Sequence, residues 1–151
     1  MKLKTSIRGI ECEFDNIERL LDYLCFKEIC LEQVYFYVVD SIYTSAKKSF
    51  VMPRHFLPEY LSVIQKSHAV FDCLVLHIYP IGKAEEEIET YEDFLRSSCE
   101  MIVLIYDGYF MEIYSKKQTW LYSLLKTAKN TTGISVRKKT ESSDTRTEMF
   151  V

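Results

Sequence analysis

Hydrophobic and polar residues alternate with different periods along the chain, and the first changes of period predict a strand followed by a helix. Residues 7–14 (IRGIECEF) alternate with a period of two, which is typical of a half-buried strand. From Ile17 to Leu24 the apolar residues recur at helical spacing. Asp15 or Asn16 can cap this helix, because a short polar side chain can accept from free backbone N–H groups of the first turn.

The next segments predict two further strands separated by a helix. Residues 33–40 (QVYFYVVD) are aromatic and β-branched, so we expect a strand, with residues 41–51 as its continuation or its hairpin partner. Residues 57–67 (LPEYLSVIQKS) place a proline early and repeat apolar residues at helical spacing, which predicts a helix. Residues 70–80 (VFDCLVLHIYP) are apolar at nearly every position, which predicts an internal strand covered on both faces.

A hairpin is the clearest short-range feature of the second half of the chain. The dipeptide Asp107-Gly108 separates two apolar runs, CEMIVLIY and YFMEIYS. Asp and Gly both tolerate the positive φ angles that tight hairpins require. Glu112 follows on the second strand, and we interpret Asp107 as a turn residue and not as an acid–base partner of Glu112.

Two helices and a last strand complete the pattern. Thr90 and Asp93 have the spacing of a capping box for a short helix, and Ser115 with Gln118 has the same spacing before a longer helix that ends at Lys129. A strand over 133–139 then precedes a polar tail. The order predicts an α+β domain over residues 1–140, with three or four helices on a predominantly antiparallel mixed sheet of five to seven strands, and a tail over 141–151.

Composition excludes several classes of protein. The chain has 151 residues, 48% of them hydrophobic and 27% charged, which is typical of a globular domain. Its net charge of −3 argues against nucleic acid as a partner, and its apolar runs are too short to cross a membrane. No signal peptide is recognised, so we expect a cytoplasmic protein. The basic residues at 137–139 are interpreted as a solvated edge strand.

Candidate catalytic groups are few. The five cysteines do not form a C-x-x-C motif, and we interpret them as free structural thiols. Cys73 and His77 share one face of the predicted internal strand, but about 13 Å separates residues four positions apart in a strand, so we expect a satisfied core pair and no metal site. The four glycines are too far apart for a phosphate-binding loop. No cofactor and no catalytic residue is predicted.

Tyrosine is the residue type that points to a function. Eleven tyrosines outnumber nine phenylalanines, and they concentrate in the strands around residues 35 and 110. A tyrosine ring with its polar hydroxyl suits a recognition surface, although packing beneath the helices at the margin of the core is the favoured explanation. The candidate partner-binding residues are Tyr35, Tyr37, Tyr109, Tyr114 and Phe150.

Two segments resemble a known family. TYEDFLRSSCEMIVLIYDGYFMEIYSK at 90–116 and DTRTEMFV at 144–151 are similar to small Bacillus-type proteins of the domain-of-unknown-function family 2691. The resemblance implies a cytosolic protein of a Firmicute and supplies no catalytic residues. It also suggests that Met149, Phe150 and Val151 dock on the domain or on a partner, and that Arg146 pairs with an acidic residue.

These observations favour a non-enzymatic module that binds another protein, and a toxin-immunity protein is one form of such a module. The alternative is a small enzyme or ligand-binding protein whose site is assembled from Cys73, His77 and tyrosines. A homo-oligomer formed through edge strands is a third alternative.

Overall fold

The computed structural model describes residues 6–43 and 71–151. The helix predicted over 57–67 and the segment 44–51 lie outside these residues, as do His55 and His68. Within them the chain forms nine elements in the following order: β1 (Gly9–Phe14), α1 (Ile17–Tyr23), β2 (Val34–Tyr43), β3 (Phe71–Pro80), α2 (Tyr91–Arg96), β4 (Met101–Tyr106), β5 (Phe110–Ser115), α3 (Gln118–Lys129) and β6 (Ile134–Lys139).

The six strands form one sheet in the order β2-β3-β4-β5-β1-β6, and every neighbouring pair is antiparallel. The predicted α+β fold is therefore confirmed for the described residues. As expected from its apolar sequence, β3 lies between two other strands, and β6 forms an edge. The second predicted strand continues without a turn as far as Tyr43.

The hairpin prediction is also confirmed. Tyr106 pairs with Phe110, so the loop between β4 and β5 is Asp107–Tyr109. Asp107 has a φ of 53° and Gly108 a φ of 78°, both in the left-handed region that favours Gly and Asp. The turn requires this conformation, which accounts for the dipeptide.

The first face of the sheet is covered by α1 and α3. The buried residues of α3, among them Leu121, Leu124 and Ala128, pack in a single cluster with apolar residues from β1 to β5. Asn16 caps α1 by accepting from the backbone N–H of Arg19, one of the two capping residues expected. The two helices are joined by the Tyr23 hydroxyl, which donates to the Leu124 carbonyl at 2.7 Å.

The capping box predicted for α3 is wrong. Ser115 is the last residue of β5, and the helix has Lys117 as its N-cap without a side-chain capping bond. The Ser115 hydroxyl accepts from the Lys117 backbone N–H, while the Gln118 side chain binds both backbone groups of Ile7. These polar groups therefore connect the helix to the chain before β1, a contact that spacing along the sequence does not indicate.

The second face of the sheet carries a smaller core beneath α2 and the C-terminal segment. Thr90 and Asp93 form the predicted capping box of α2. Tyr79, Phe94 and Tyr114 are fully buried here. Residues 141–151 return over this face after β6, and we call them the C-terminal strap. Its ladder bonds run from Tyr91 N–H to the Thr147 carbonyl and from Met149 N–H to the Glu89 carbonyl, each 2.8 Å.

Candidate functional site

The candidate site is a charged cluster where the C-terminal strap crosses the second face of the sheet. Glu112 lies on β5, opposite Leu104 of β4 and Glu11 of β1, and shares its face with Tyr114. Only 3% of Glu112 is exposed. A carboxylate buried this far inside a sheet is costly unless it is paired, so its partners determine what the site can do.

Lys139, the last residue of β6, is the first of these partners. Its ammonium group donates to Glu112 Oε1, to the Tyr114 hydroxyl at 2.7 Å and to Asp144 Oδ1 at 3.2 Å. These three acceptors use all three donors of a lysine. The expectation that residues 137–139 form a solvated edge is therefore wrong for Lys139, which is 7% exposed, whereas Arg137 and Lys138 are exposed.

Arg146 of the strap is the second partner of Glu112. Its Nε donates to Glu112 Oε1 at 3.2 Å, and its Nη2 makes an ionic contact with Oε2 at 2.8 Å that lacks hydrogen-bond geometry. The sequence analysis expected Arg146 to pair with an acidic residue, and Glu112 is that residue. Nη1 of the same side chain donates to the Phe150 carbonyl at 2.9 Å, so one guanidinium binds both the sheet and the end of the chain.

The electrostatics of the cluster follow from these contacts. Burial raises the pKa of Glu112, but the hydrogen bonds from Lys139 and Arg146 outweigh burial and lower it overall. Burial and the neighbouring Glu112 carboxylate raise the pKa of Tyr106 to about 12. Glu112 is thus held as a carboxylate between two cations, and its negative charge keeps the nearby phenol protonated.

A cleft of about 650 Å³ opens between the strap and the edge of the sheet at this cluster. Its walls include Glu11 and Arg137, which form a 2.9 Å ion pair across β1 and β6, and the strap residues 143–148. Asp144 Oδ2 is buried and has no hydrogen-bond partner among the described residues. Basic and acidic side chains are equally represented in this cleft, and most of them bind one another.

The five predicted partner-binding residues do not form a single surface. Tyr35 and Tyr37 are half-buried on β2, and the Tyr35 ring stacks on Tyr79 with centroids 5.7 Å apart. Tyr114 is completely buried, and its hydroxyl donates to Asp144 Oδ1 at 3.1 Å, so it holds the strap from within. Tyr109 and Phe150 are exposed, at 44% and 49%.

Arg146 contacts both the strand before the hairpin loop and the end of the strap. Its guanidinium carbon lies 5.9 Å from the centre of the Tyr106 ring, and that ring stacks on Phe110 with centroids 5.5 Å apart. The hairpin loop with Tyr109 adjoins this stack, and the Phe150 carbonyl is bound by the same arginine. We call this set the aromatic patch, and it consists of Tyr106, Tyr109, Phe110, Phe150 and Val151.

Three of the five cysteines, and His77, lie in the core. The five cysteines form no disulfide with one another, as predicted, and burial raises the pKa of Cys12 and of Cys99 to about 12. His77 is 2% exposed, and burial lowers its pKa to about 4. It is not the satisfied core residue expected from the sequence, because its Nδ1 has no hydrogen-bond partner within the described part of the chain.

Residues 6–43 and 71–151 lack two further features. There is no group of three or more His, Cys, Asp or Glu side chains there that could hold a metal ion. None of the helices in these ranges is long and apolar enough to span a membrane.

The sequence pattern does not reveal the charged cluster. Its members come from β5, β6 and the strap, and only the register of the sheet brings them together. The available signal was Glu112 itself, a charged residue in the run FMEIY, where a strand covered on both faces would otherwise be apolar. The Asp107 interpretation is correct, but Glu112 belongs to this separate constellation.

Comparison with known proteins identifies a family. The "Uncharacterized protein YncE" of Bacillus subtilis (strain 168) is 34% identical over 76 residues, which is 50% of this chain and 50% of that protein. The chain thus spans half the length of the curated relative that it matches. No solved structure matches it. The family model described as "Protein of unknown function (DUF2691)" matches residues 29–150, most of the chain. The protein therefore belongs to the DUF2691 family.

Proposed function

We propose that this protein acts in the cytoplasm as a non-enzymatic module that binds another protein through the aromatic patch. The observation that carries the proposal is the double role of Arg146. One guanidinium binds the buried Glu112 and the carbonyl of Phe150, and lies against Tyr106. One guanidinium thereby contacts an aromatic ring next to the hairpin loop and the backbone of Phe150, which come from two distant parts of the chain.

The composition of the patch suits binding. Tyrosine, other aromatic residues and arginine are enriched at protein interfaces, and tyrosine and arginine at their energetic centres. Tyr109, Phe150 and Val151 are 44%, 49% and 40% exposed, so these large apolar side chains are accessible to a partner. Because the ion pair fixes the strap before any partner arrives, less conformational entropy is lost on binding.

The state of the reactive groups supports binding over catalysis. A nucleophilic cysteine needs a lowered pKa, whereas burial raises the pKa of Cys12 and Cys99 to about 12. A general base near neutral pH needs a pKa close to 7, whereas burial lowers that of His77 to about 4. Glu112 is engaged by Lys139 and Arg146.

Within this class, we propose that the protein inhibits its partner, as a toxin-immunity protein does. The exposed carboxylates of Glu87, Glu89 and Glu92 give one side of the molecule an acidic character, which suits a basic partner such as an enzyme that acts on nucleic acid. This finer proposal predicts that the protein restores growth when it is expressed together with a toxic partner.

The experiment places a photo-crosslinking amino acid at Tyr109 or at Phe150 of the full chain. Val39 on β2 is the matched control position, because it is a similarly exposed apolar residue, at 39%, in an edge strand that β3 separates from the β4–β5 hairpin. We expect one protein to be crosslinked from both patch positions and not from Val39.

The variant Phe150→Ser should then bind that protein at least about tenfold more weakly, and Val39→Ser should bind it as the wild type does. Equal crosslinking from Val39 and from the patch would contradict the proposal. So would unchanged affinity of the Phe150→Ser variant. If the captured protein is not toxic on its own, the inhibitory form of the proposal is wrong while binding stands.

A further inference from the structure

A groove runs along the exposed side of α3, away from the aromatic patch and the strap. It consists of two hollows of about 460 Å³ and about 330 Å³ that share Tyr122 and Lys126. The second hollow lies between the C-terminal half of α3 and the edge strand β6. We call this hollow the lysine groove, and its side chains are Tyr122, Leu125, Lys126, Lys129, Asn130 and Lys138.

The lysine groove holds positive charge that no acidic side chain of residues 6–43 and 71–151 pairs with. Residues 116–139 include seven basic residues and no acidic one, although the whole chain has a net charge of −3. Lys139 and Arg137 are used in ion pairs, with Glu112 and Glu11. Lys126, Lys129 and Lys138 are exposed and form no salt bridge with any residue in the described ranges.

Only part of the positive charge of these three lysines is stabilised by contacts within the described chain. Lys126 and Lys129 lie in the last turn of α3, where the helix dipole favours cations. Lys138 belongs to β6 and gains no such benefit, and its ammonium group is 6.0 Å from the centre of the Tyr122 ring. Three like charges around an apolar floor repel one another, so an acidic segment with apolar side chains is the chemistry that complements the groove.

The chain itself contains a segment with that chemistry. In residues 81–95, Glu87, Glu89 and Glu92 are exposed and make no salt bridge with a described residue. Two large apolar side chains flank them, Ile81 at 66% exposure and Leu95 at 48%. We call residues 81–95 the acidic segment.

The two complementary surfaces cannot meet within one molecule. The acidic segment is attached to the second face of the sheet, where Ile88 is buried and the Tyr79 hydroxyl bonds with the Glu86 backbone. The lysine groove belongs to α3, which packs on the first face. Complementary surfaces on opposite faces favour head-to-tail association between copies.

We propose that a second copy of the chain docks its acidic segment in the lysine groove. The contact is heterologous, with the carboxylates of one copy against the lysines of the next. It does not use the aromatic patch, so it is independent of binding through that patch, but it engages the same Glu87, Glu89 and Glu92 that the inhibitory form of the proposed function assigns to a basic partner. Because exposed ion pairs are screened by salt, the association should be strong only at low ionic strength.

Charge reversal with complementation is the test. One variant carries Lys126→Glu, Lys129→Glu and Lys138→Glu, and the other carries Glu87→Lys, Glu89→Lys and Glu92→Lys. Sedimentation velocity is measured on the full chain at about 50 mM and about 500 mM salt, where charges are screened to very different extents. We expect wild type to self-associate at the lower salt, each variant alone to associate at least about tenfold more weakly, and their equimolar mixture to regain association.

Since glutamates in the last turn oppose the helix dipole, a milder groove variant with the same three lysines changed to Gln serves as a second measurement. It should keep the wild-type circular dichroism and still lose self-association. A wild type that stays monomeric at low salt would overturn the proposal, and so would a mixture of two folded variants that fails to associate. Binding of a labelled single-stranded oligonucleotide through these lysines, without self-association, would assign the groove to nucleic acid instead and overturn the proposal as well.

Discussion

His77 provides the sharpest test of how the buried second face contributes to stability. Its imidazole lies on β3 between Tyr37 of β2 and Ile102 of β4, and its ring is 6.2 Å from that of Tyr79. Burial is the cause of its low pKa, which falls from 6.5 to about 4. The folded state therefore strongly prefers the neutral imidazole.

The sign and size of the effect of His77 on stability follow from the linkage between proton binding and folding. The unfolded chain binds a proton at His77 below pH 6.5 more readily than the folded chain does, so stability that is present above pH 6.5 is lost as the pH falls toward 4. One pKa unit corresponds to about 1.4 kcal/mol, so the whole effect is about 3 kcal/mol, of which about 2 kcal/mol is lost by about pH 5.

The perturbation is His77→Leu, which keeps a similar volume and removes both the titrating group and an Nδ1 that has no hydrogen-bond partner among residues 6–43 and 71–151. Urea unfolding of wild type and variant is measured from about pH 7.5 to about pH 5, and the difference between their free energies of unfolding cancels all other titrations. We expect the variant to gain about 2 kcal/mol on wild type over this range. If the difference between the two free energies of unfolding stays constant within about 0.5 kcal/mol across this pH range, His77 is protonated in the folded state as readily as in the unfolded state. That result would refute the reasoning.

Three further predictions concern the sheet, the charged cluster and the thiols. A Cβ at Gly9 would collide with the backbone carbonyl of Ile113, so Gly9→Ala should lower the free energy of unfolding by at least about 2 kcal/mol. A melting temperature equal to that of wild type would contradict this prediction. Lys139→Met removes one of the two cations that pair with the buried Glu112, so it should lower the free energy of unfolding, measured in urea, by about 3 kcal/mol. Substitution of the exposed Lys138 by Met should change this free energy by no more than about 0.5 kcal/mol. Equal effects of the two substitutions would disprove the buried pairing. In native protein a thiol reagent should modify the exposed Cys30 first, and rapid labelling of a buried thiol instead would be inconsistent with the fold.

Sequence periodicity predicted elements well wherever local chemistry decides the structure. The φ angles of Asp107 and Gly108, the Asn16 cap and the Thr90 capping box depend on neighbours within four residues, and all are found. The capping role of Ser115 failed because its hydroxyl is engaged in a different local bond, to Lys117 N–H, and donates to the Glu100 carbonyl. A spacing rule cannot rank such competing partners.

The candidate site could not be predicted because its chemistry depends on register. Lys139 faces Glu112 only because both strands pair with β1, which places Glu112 opposite Glu11 and Lys139 opposite Gly9. A shift of one residue would turn the lysine to the other face and into the solvent exposure that its sequence suggested. The resemblance to a family drew attention to the end of the chain, but pairing of Arg146 with Glu112 required the fold.

Two kinds of contact hold the strap, and they differ in whether they mainly stabilise it or mainly set its position. Met149 is 1% exposed in the apolar cluster of the second face, and burial of its side chain supplies much of the attachment. The ion pairs of Glu112 add less net stability, since desolvation offsets most of the attraction between buried charges. Their effect is on register, because Arg146 binds Glu112 and the Phe150 carbonyl while Met149 occupies its cluster. The backbone bonds of the strap to Glu89 and Tyr91 favour the same register. Together these contacts fix where the last two residues emerge, and under the proposed binding function this position is what a partner would recognise.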